Sequence, residues 1–418
     1  MQILAIGLFA ALPAFGQKYL PKTIQFKGAP EYSDQELLEA SGLKKDEALD
    51  SAAMNETSKR LLDTGVFESV AYKFDGQDLT YTVTESAQLY PIRLENLPLQ
   101  SGKELDDKVH QRVPLYHGKV PADGGLTDSV RGALEEMLAA QGIKATITAT
   151  AVNDLKLHGI AAMSFSIVAP AVQIGEIRLD GASAPLDPKA AEILAKLTGS
   201  PYDTVGSPSQ IATYLGNFFR DKGYLEADIR AVPQGVPAVT AEAIRIPFQL
   251  SVAPGAQYRL SGVRLAPGML VTQAEFDRQS GIHTGDVADH QRVTENWEFL
   301  ARQYHNRGYM KAAILPTPAF DRTRSMVSFD VTADPGPVYT MGALTVENVS
   351  DDLRAAILAA WSMPRGSVFN EMSVRSFFAK TGVHRAVERV YSTVNFKYVL
   401  QLNDEARTVD VELHLEKK

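Results

Sequence analysis

Residues that could do chemistry are scattered along this sequence of 418 residues rather than gathered into a motif. Its closest histidine pairs, His110 with His117 and His283 with His290, lie seven positions apart. Two imidazoles seven apart on one helix could bind a metal ion, but Pro114 interrupts the first pair and glycine-rich turn chemistry adjoins the second. We therefore predict no metal site and no cofactor.

The sequence also lacks the patterns typical of a catalytic centre. It has no His-Glu-x-x-His, no Gly-x-Ser-x-Gly, no P-loop and no dinucleotide glycine fingerprint, and it has no cysteine. Ser41 and Lys44 fit Ser-x-x-Lys, but that spacing is common by chance and falls in a predicted turn. The net charge of -8 gives no electrostatic reason to expect nucleic-acid binding, which would need a basic face. We predict a binding protein that is not an enzyme and has no nucleic-acid partner.

The N-terminus indicates export. Ile3 to Leu12 is an uninterrupted apolar run, and Ala14 and Gly16 are small residues where signal peptidase cleaves. We predict that residues 1–16 are a signal peptide and that the mature chain is exported, with a buried N-terminal strand or helix as the alternative. No later segment approaches the roughly 20 apolar residues needed for a membrane span, so we expect no direct span.

Two landmarks recur about every 80 residues, which is typical of a tandem array. The first is a strand-like segment, seen as Ile24, Ile92, Ile177, Val263 and Leu344 within their runs. The second is a helical stretch that ends in glycine and an apolar residue, at Gly65, Gly142, Gly223 and Gly308. In the last repeat Asn395 and Phe396 stand nearest to the place of that glycine. Two landmarks with one period predict that a single structural unit is repeated.

The first repeat shows how a unit folds. Ser33 and Glu36 have the spacing of a capping box that begins a helix over 33–40. A second helix follows, with Met54, Leu61 and Leu62 on one face, and ends at Gly65 in a left-handed cap. Two strands, 69–74 and 79–85, then flank the hairpin signal Asp75-Gly76.

We therefore predict an α+β fold: a tandem array of five β-α-α-β-β modules, each a three-stranded sheet covered by two helices. Pro254-Gly255 and Pro335-Gly336 are predicted to stop the last strand of the third and fourth modules. Such brief linkers favour a semi-rigid string. The predicted modules are 20–87, 88–170 (degenerate), 171–254, 255–336 and 337–418.

The repeat resembles the POTRA domain of the BamA/TamA superfamily of outer-membrane assembly proteins. The first repeat carries the match, with Leu61, Thr64, Gly65, Phe67 and Val70 in the pattern L-x-x-T-G-x-F-x-x-V, followed by a hairpin that ends V-x-E. The resemblance implies handling of other polypeptides in the periplasm, or docking to a membrane complex. It does not extend to the membrane β-barrel of such proteins, because no stretch shows the alternation of barrel strands. We accordingly do not expect insertase activity.

By this resemblance the second strand of each unit lies at an exposed sheet edge. An extended polypeptide can add to such an edge through backbone hydrogen bonds. The predicted edges are 70–74, 226–232 and 312–317, with Pro316 and Pro318 blunting the end of the last. The predicted protein-binding residues are Val70, Tyr72, Phe74, Ala227, Ile229, Ala231, Ala313 and Leu315.

The predicted partners are outer-membrane β-barrel proteins or an assembly complex. A structural cell-envelope scaffold or spacer that handles no polypeptide is the alternative. The sequence leaves the oligomeric state open.

Overall fold

A computed structural model of the protein describes residues 18–154, 159–180, 187–380 and 394–417. The chain divides into two compact units. The first unit comprises the described residues through Thr213 together with Arg230–Ser251, and the second comprises Tyr214–Ile229 together with the described residues from Val252 onward. Each combines helices with small sheets, as the α+β prediction requires. The predicted signal peptide lies outside the described residues. Among the described residues, no helix combines the length and apolarity needed to cross a membrane.

The first sheet of the first unit has the strand order β1-β3-β2, with β1 parallel and β2 antiparallel to the central strand. Two helices lie in sequence between its first and second strands. The elements are β1 (Thr23–Lys27), α1 (Asp34–Ser41), α2 (Ser51–Asp63), β2 (Phe67–Phe74) and β3 (Asp78–Glu85).

Local signals position these elements as predicted. Ser33 and Glu36 form the complete capping box of α1, and Gly65 has φ +75° after α2. Asp75 closes the hairpin, because its Oδ1 accepts hydrogen bonds from the backbone N–H groups of Gln77 and Asp78. One prediction about the helix face is wrong. Met54 and Leu61 are buried, but Leu62 is 38% exposed, since it lies one position, about 100°, round the helix from Leu61.

The second sheet of the first unit has four strands in the order β5-β4-β7-β6. The prediction of three strands is therefore wrong for this sheet, because a short strand pairs with the outer side of the first one. The elements are β4 (Leu89–Leu94), α3 (Lys103–His110), β5 (Lys119–Pro121), α4 (Gly125–Ala139), β6 (Thr146–Asp154) and β7 (Gly159–Ala169).

The third sheet also has four strands and corrects the three-strand prediction in the same way. Its order is β10-β11-β8, and β9 pairs with β11 as well. The additional strand, β10, is a two-residue arm of a hairpin against β11. The elements are β8 (Ala171–Leu179), α5 (Pro188–Leu197), α6 (Gly206–Asp221), β9 (Asp228–Pro233), β10 (Ala238–Val239) and β11 (Ala243–Ala253).

The second unit contains two three-stranded sheets with the topology of the first sheet, ordered β12-β14-β13 and β15-β17-β16. The elements of the first are β12 (Arg259–Leu265), α7 (Gln273–Gln279), α8 (His290–His305), β13 (Ala313–Asp321) and β14 (Met326–Asp334). Those of the second are β15 (Thr340–Glu347), α9 (Asp351–Ala360), α10 (Glu371–Lys380), β16 (Val394–Asn403) and β17 (Thr408–Lys417).

The helices cover one face of each of these sheets and close an apolar core there. In the first sheet Leu79 and Tyr81 of the central strand are fully buried and pack with Met54. Each such large side chain contributes about 1.5–3 kcal/mol through burial. The two tryptophans pack against the cores of the second unit: Trp297 contacts Phe276 and Trp361 contacts Phe377.

Two strands end at the predicted Pro-Gly pairs. Strand β11 ends one residue before Pro254 and β14 ends one residue before Pro335. Asn395 is a different case. It lies within β16 and pairs with Glu416, so it does not take the place of the helix-ending glycine. The alternation that makes this segment a strand outweighs the local preference of asparagine for a left-handed cap.

Candidate polypeptide-binding edges

The outer edge of β2 carries three of the predicted contact residues. The N–H of Asp75 donates to the carbonyl of Asp78 at 3.2 Å. Asp75 and Asp78 are therefore a hydrogen-bonded pair, and the pairs before it in the hairpin are assigned from this one. Bonded and non-bonded pairs alternate along an antiparallel ladder. The N–H and C=O groups of Val70, Tyr72 and Phe74 therefore point away from β3. In the described part of the chain no strand pairs with this side of β2.

The side chains of the same three residues point elsewhere. Val70, Tyr72 and Phe74 are partly buried against the first core, whereas Ala71 and Lys73 between them are exposed. A strand added here would be recognised through backbone groups, with the exposed side chains of Ala71 and Lys73 beside it. Recognition of this kind is tolerant of the partner's sequence.

The predicted edge of the third repeat is shorter than expected. Strand β9 begins at Asp228, so Ala227 lies outside it, while Ile229 and Ala231 lie within it. The side chain of Ala231 is buried, at 6% exposure. The N–H of Ala227 donates to the carbonyl of Tyr224 at 3.1 Å, which holds Ala227 in the turn before the strand. We therefore drop Ala227 from the candidate edge.

The predicted edge of the fourth repeat runs farther than expected. Strand β13 starts at Ala313, includes Leu315 and continues through Pro316 and Pro318 to Asp321. The prolines therefore do not end the strand. They occupy alternate positions opposite β14, and proline in a sheet places its nitrogen on the unpaired side. The outer edge of β13 consequently lacks two successive N–H donors.

Two further edge strands carry none of the protein-binding residues that were named from the sequence. Strand β16 occupies in its sheet the place of β2 and β13. Its hairpin joins Asn403 to Thr408 through a four-residue turn, as in the β13 hairpin, so the backbones of Tyr398 and Leu400 face outward by the same alternation. Apolar residues at every second position of this strand were the available signal. Strand β6 forms the outer edge of the second sheet.

The predicted residues thus do not converge on one pocket. They lie on three separate sheets, with Val70, Tyr72 and Phe74 on one, Ile229 and Ala231 on another, and Ala313 and Leu315 on a third. The repeated feature is an edge strand in each sheet. Of the three predicted edge strands, β2 alone has outward backbone groups and no proline.

Two junctions in the second unit repeat one contact. The carbonyl of Gly223 accepts a hydrogen bond from the N–H of Tyr258 at 2.8 Å, and Gly308 accepts one from Tyr339 at 2.7 Å. The hydroxyl of Tyr258 donates to Glu226, which also pairs with Arg322. The hydrogen bond from Arg322 is the main cause that lowers the pKa of Glu226 below its ordinary value.

The second of these junctions has an equivalent charged pair. The hydroxyl of Tyr339 donates to Asp404 at 2.8 Å, and Lys311 lies 2.5 Å from the other oxygen of the same carboxylate. The hydrogen bond from Lys311 lowers the pKa of Asp404, with a smaller effect from Tyr339. In both places the carbonyl of a glycine after a helix therefore accepts a hydrogen bond from the tyrosine just before the next strand.

Comparison with known proteins gives a family for the first sheet and its helices. Residues 21–86 match the POTRA family model, described as "Surface antigen variable number repeat". Among solved structures, the chain is similar to POTRA domains 3–5 of BamA from Haemophilus influenzae, at 16% identity and a TM-score of 0.44, over 59% of this chain and 96% of that one.

Two other solved structures show lower structural similarity. The N-terminal domain of Omp85 from Thermosynechococcus elongatus is 18% identical, with a TM-score of 0.23, over 60% of this chain and 98% of that one. CdiB from Escherichia coli is 16% identical, with a TM-score of 0.21, over 57% of this chain and 37% of that one.

Proposed function

With the resemblance to POTRA domains confirmed by the family match over residues 21–86, we propose that the chain is an array of five modules that binds extended polypeptides. The modules are those predicted from the sequence, 20–87, 88–170, 171–254, 255–336 and 337–418. Each has two helices between its first and second long strands, with short additional strands in the second and third. The proposed setting is outer-membrane protein assembly in the periplasm. The proposed partners are unfolded β-barrel proteins or the complex that assembles them.

The observation that carries this proposal is the outward backbone of Val70, Tyr72 and Phe74 on β2. An added strand can pair with three N–H and three C=O groups there. Each such bond contributes a net of about 0.5–1.5 kcal/mol. The loss of translational freedom on association opposes this gain, so the affinity of a single edge for a polypeptide is weak. One edge therefore suits transient, sequence-tolerant binding. Several edges along one chain would increase the overall affinity through a high effective concentration.

A photo-crosslinking experiment in cells tests the proposal. A crosslinking amino acid replaces Ala71 or Lys73, whose exposed side chains flank the outward backbone groups. The control carries it at Asn55, an exposed position on α2. We expect Ala71 and Lys73 to label unfolded outer-membrane proteins and Asn55 to label few of them. Equal labelling from the three positions would contradict binding at the edge.

Proline substitution tests the role of the backbone. Val70→Pro removes an N–H that faces the free edge and leaves the ladder with β3 intact, as Pro316 and Pro318 do in β13. Val70→Thr keeps the N–H and is the matched control. We expect Val70→Pro to lose at least about half of the adducts at Lys73 while circular dichroism stays unchanged, since one of a few bonds of about 1 kcal/mol is lost. Unchanged labelling in a folded Val70→Pro protein would overturn strand addition.

A spacer or docking scaffold is the second candidate function. The junction at Gly308 with Tyr339 favours it, because a backbone hydrogen bond there ties the end of α8 to the residue before β15 within the second unit. Adducts with one envelope complex alone, or none from Ala71 and Lys73, would support this function instead of polypeptide handling.

A further inference from the structure

Three side chains from distant parts of the first unit meet at one point: Glu36, His110 and His117. Glu36 lies on α1, His110 is the last residue of α3, and His117 follows a turn after that helix. No local pattern predicts a contact between the two histidines, because Pro114 stands between them. In the structure this turn reverses the chain and returns His117 over the end of α3. The imidazole rings lie 5.0 Å apart, nearly perpendicular.

The donor atoms of this Glu36–His110–His117 cluster face one another. Nε2 of His110 is 3.3 Å, and Nε2 of His117 3.2 Å, from the same oxygen, Oε1 of Glu36. One donor atom from each of the three residues lies within 4.8 Å of the others. A zinc ion with bonds of 2.0–2.1 Å to tetrahedral ligands separates those ligands by about 3.3 Å. The two Nε2–Oε1 separations fit the edges of such a tetrahedron.

The tautomer of His110 leaves a position for a metal ion between its Nε2 and Glu36. Nδ1 of His110 lies 2.9 Å from the carbonyl oxygen of Tyr116. A carbonyl only accepts, so Nδ1 carries the hydrogen, and in the neutral ring Nε2 is then a bare lone pair. That lone pair faces a carboxylate oxygen of Glu36. Two acceptors this close repel each other unless a proton or a metal ion lies between them.

The remaining contacts hold the ligands in place. The other oxygen of Glu36, Oε2, accepts hydrogen bonds from the N–H and the hydroxyl of Ser33 at 2.6 and 2.8 Å, which leaves Oε1 for the two imidazoles. These two bonds from Ser33 fix the orientation of the Glu36 carboxylate toward the histidines.

Buried aromatic residues support the two histidines. Tyr32, itself buried, packs its ring against His117 at 4.8 Å and against Phe67. The hydroxyl of Tyr116 donates to Asp106 on α3 at 2.7 Å, which anchors the carbonyl that orients His110. Outer contacts of this kind fix the orientation of metal-binding imidazoles.

We propose that Glu36, His110 and His117 bind a divalent first-row transition-metal ion of the zinc type. Two imidazole nitrogens and one carboxylate oxygen form a donor set that zinc accepts, whereas Ca²⁺ and Mg²⁺ prefer oxygen alone. The histidine side chains are 41% and 31% exposed, so the ion has a route from solvent and a fourth position for water. The bound ion joins α1 to the turn after α3 and so links the first sheet's helices to the second sheet's.

Titration of the full chain with Zn²⁺ tests the site. We expect saturable binding of one ion by calorimetry, weakened at least about tenfold in His110→Gln and in His117→Gln. His283→Gln is the matched control, because His283 is exposed and faces a carboxylate, Asp286, at 3.7 Å. No saturable binding would overturn the proposal, as would binding that His283→Gln reduces and the other two variants do not.

Glu36→Gln separates loss of the ligand from loss of the fold. The glutamine oxygen can still accept from Ser33, because capping boxes use glutamate or glutamine alike. Its amide can donate to the bare Nε2 of His110, which satisfies that nitrogen without an ion. We expect this variant to fold as the wild type does and to lose zinc binding by at least about tenfold. Retention of zinc binding by folded Glu36→Gln would overturn the proposal.

Nitrogen NMR of the imidazole rings separates the metal from a proton. With Zn²⁺ added near neutral pH, we expect the Nε2 resonances of His110 and His117 to shift while Nδ1 of His110 keeps its hydrogen. If Nε2 of His110 carries a hydrogen whether or not Zn²⁺ is present, a proton occupies the gap and the metal site is refuted.

Discussion

Nδ1 of His305 on α8 lies 2.8 Å from Oε2 of Glu371 on α10, a carboxylate that is only 8% exposed. Its other oxygen accepts a bond from Arg375 at 2.6 Å. The hydrogen bond from His305 is the largest cause of a lowered pKa, burial opposes it, and Arg375 adds to it, so the pKa of Glu371 falls from 4.5 to about 2. An acidic side chain buried between two helices is thus kept ionised by two partners.

This pair predicts acid sensitivity of the second unit. The pKa of Glu371 is lower in the folded than in the unfolded chain, so its stabilisation is present in full above the unfolded pKa and is lost as the pH falls toward 2. A shift of this size corresponds to about 3 kcal/mol. We expect Glu371→Gln to lower the free energy of unfolding near neutral pH, with the difference from wild type shrinking between about pH 5 and 2.

Urea unfolding at several pH values measures this difference. Glu298→Gln is the control, since Glu298 is 64% exposed and pairs with Arg302 on the surface. Surface pairs contribute about 0–1 kcal/mol, so we expect little change from it. A difference between wild type and Glu371→Gln that stays constant from neutral to acid pH would refute the assignment.

Alanine substitution of the landmark glycines is expected to lower stability by different amounts at different positions. A Cβ at Gly308, where φ is +86°, would lie 2.8 Å from Cγ1 of Val368 and 2.9 Å from the carbonyl of Tyr339. A Cβ at Gly142, where φ is +78°, meets nothing within 4 Å. Alanine in the left-handed conformation costs about 1–2 kcal/mol at either position. We expect Gly308→Ala to cost a further 1–3 kcal/mol, approximately, through overpacking.

Chemical denaturation of the two variants gives both costs. The comparison separates backbone strain from close packing, because the two glycines have nearly equal φ. Equal losses for Gly308→Ala and Gly142→Ala would show that the contact with Val368 and Tyr339 yields without cost.

Local features of this fold were predictable from the sequence, and contacts made over long sequence distances were not. The capping box of Ser33 and the hairpin at Asp75 depend on neighbours within four residues, so both were predicted correctly. Gly65 was predicted as a left-handed cap, and it is one. Its second role, a close approach to the carbonyl of Asp123, depends on a chain reversal that no local pattern encodes.

The candidate sites show the same difference between features that were predicted from the sequence and contacts that were not. The edge position of Val70, Tyr72 and Phe74 was expected from the resemblance to POTRA domains, and the structure places them on an outer strand. The meeting of His110 with His117 was not expected, because spacing along the sequence was judged as if both stood on one helix. Their approach depends on a buried turn, with Tyr116 only 1% exposed, that packs back against α3.

Asn96 predicts a third effect, on the second sheet. After β4 its side-chain oxygen accepts a bond from the N–H of Ile167 at 2.7 Å, and its amide donates to the carbonyl of the same residue at 3.0 Å. The side chain thereby extends the pairing of β4 with β7 beyond the last residue of β4. We expect Asn96→Ala to cost about 1–3 kcal/mol, because two partly buried backbone groups lose their partner.

Hydrogen exchange measures this loss at a single amide. We expect the N–H of Ile167 to exchange faster in Asn96→Ala by a factor that matches the change in unfolding free energy of the sheet. Asn55→Ala, at an exposed position on α2, serves as the control and should change stability by less than about 0.5 kcal/mol. An Ile167 amide as protected in Asn96→Ala as in wild type would contradict the role of this side chain.

The contrast between β2 and β13 predicts a gain of binding. Pro316 and Pro318 remove two successive N–H groups from the outer edge of β13. Replacing both with valine restores these donors and keeps the β-branched, apolar character of the strand. If an added strand uses both, two bonds of about 1 kcal/mol each increase affinity by roughly thirtyfold. A crosslinker at Leu315, which is 51% exposed, reports capture of an unfolded polypeptide.

Thr317→Val is the matched control for this double variant. It adds an apolar β-branched side chain to the same strand but leaves the outward N–H groups as they are, because Thr317 lies between the two prolines and bonds toward β14. Increased adducts in the proline double variant but not in Thr317→Val would show that the missing donors close this edge. Equal increases in both would attribute capture to apolar side chains, and no increase in either would mean that an open backbone edge is not sufficient for binding.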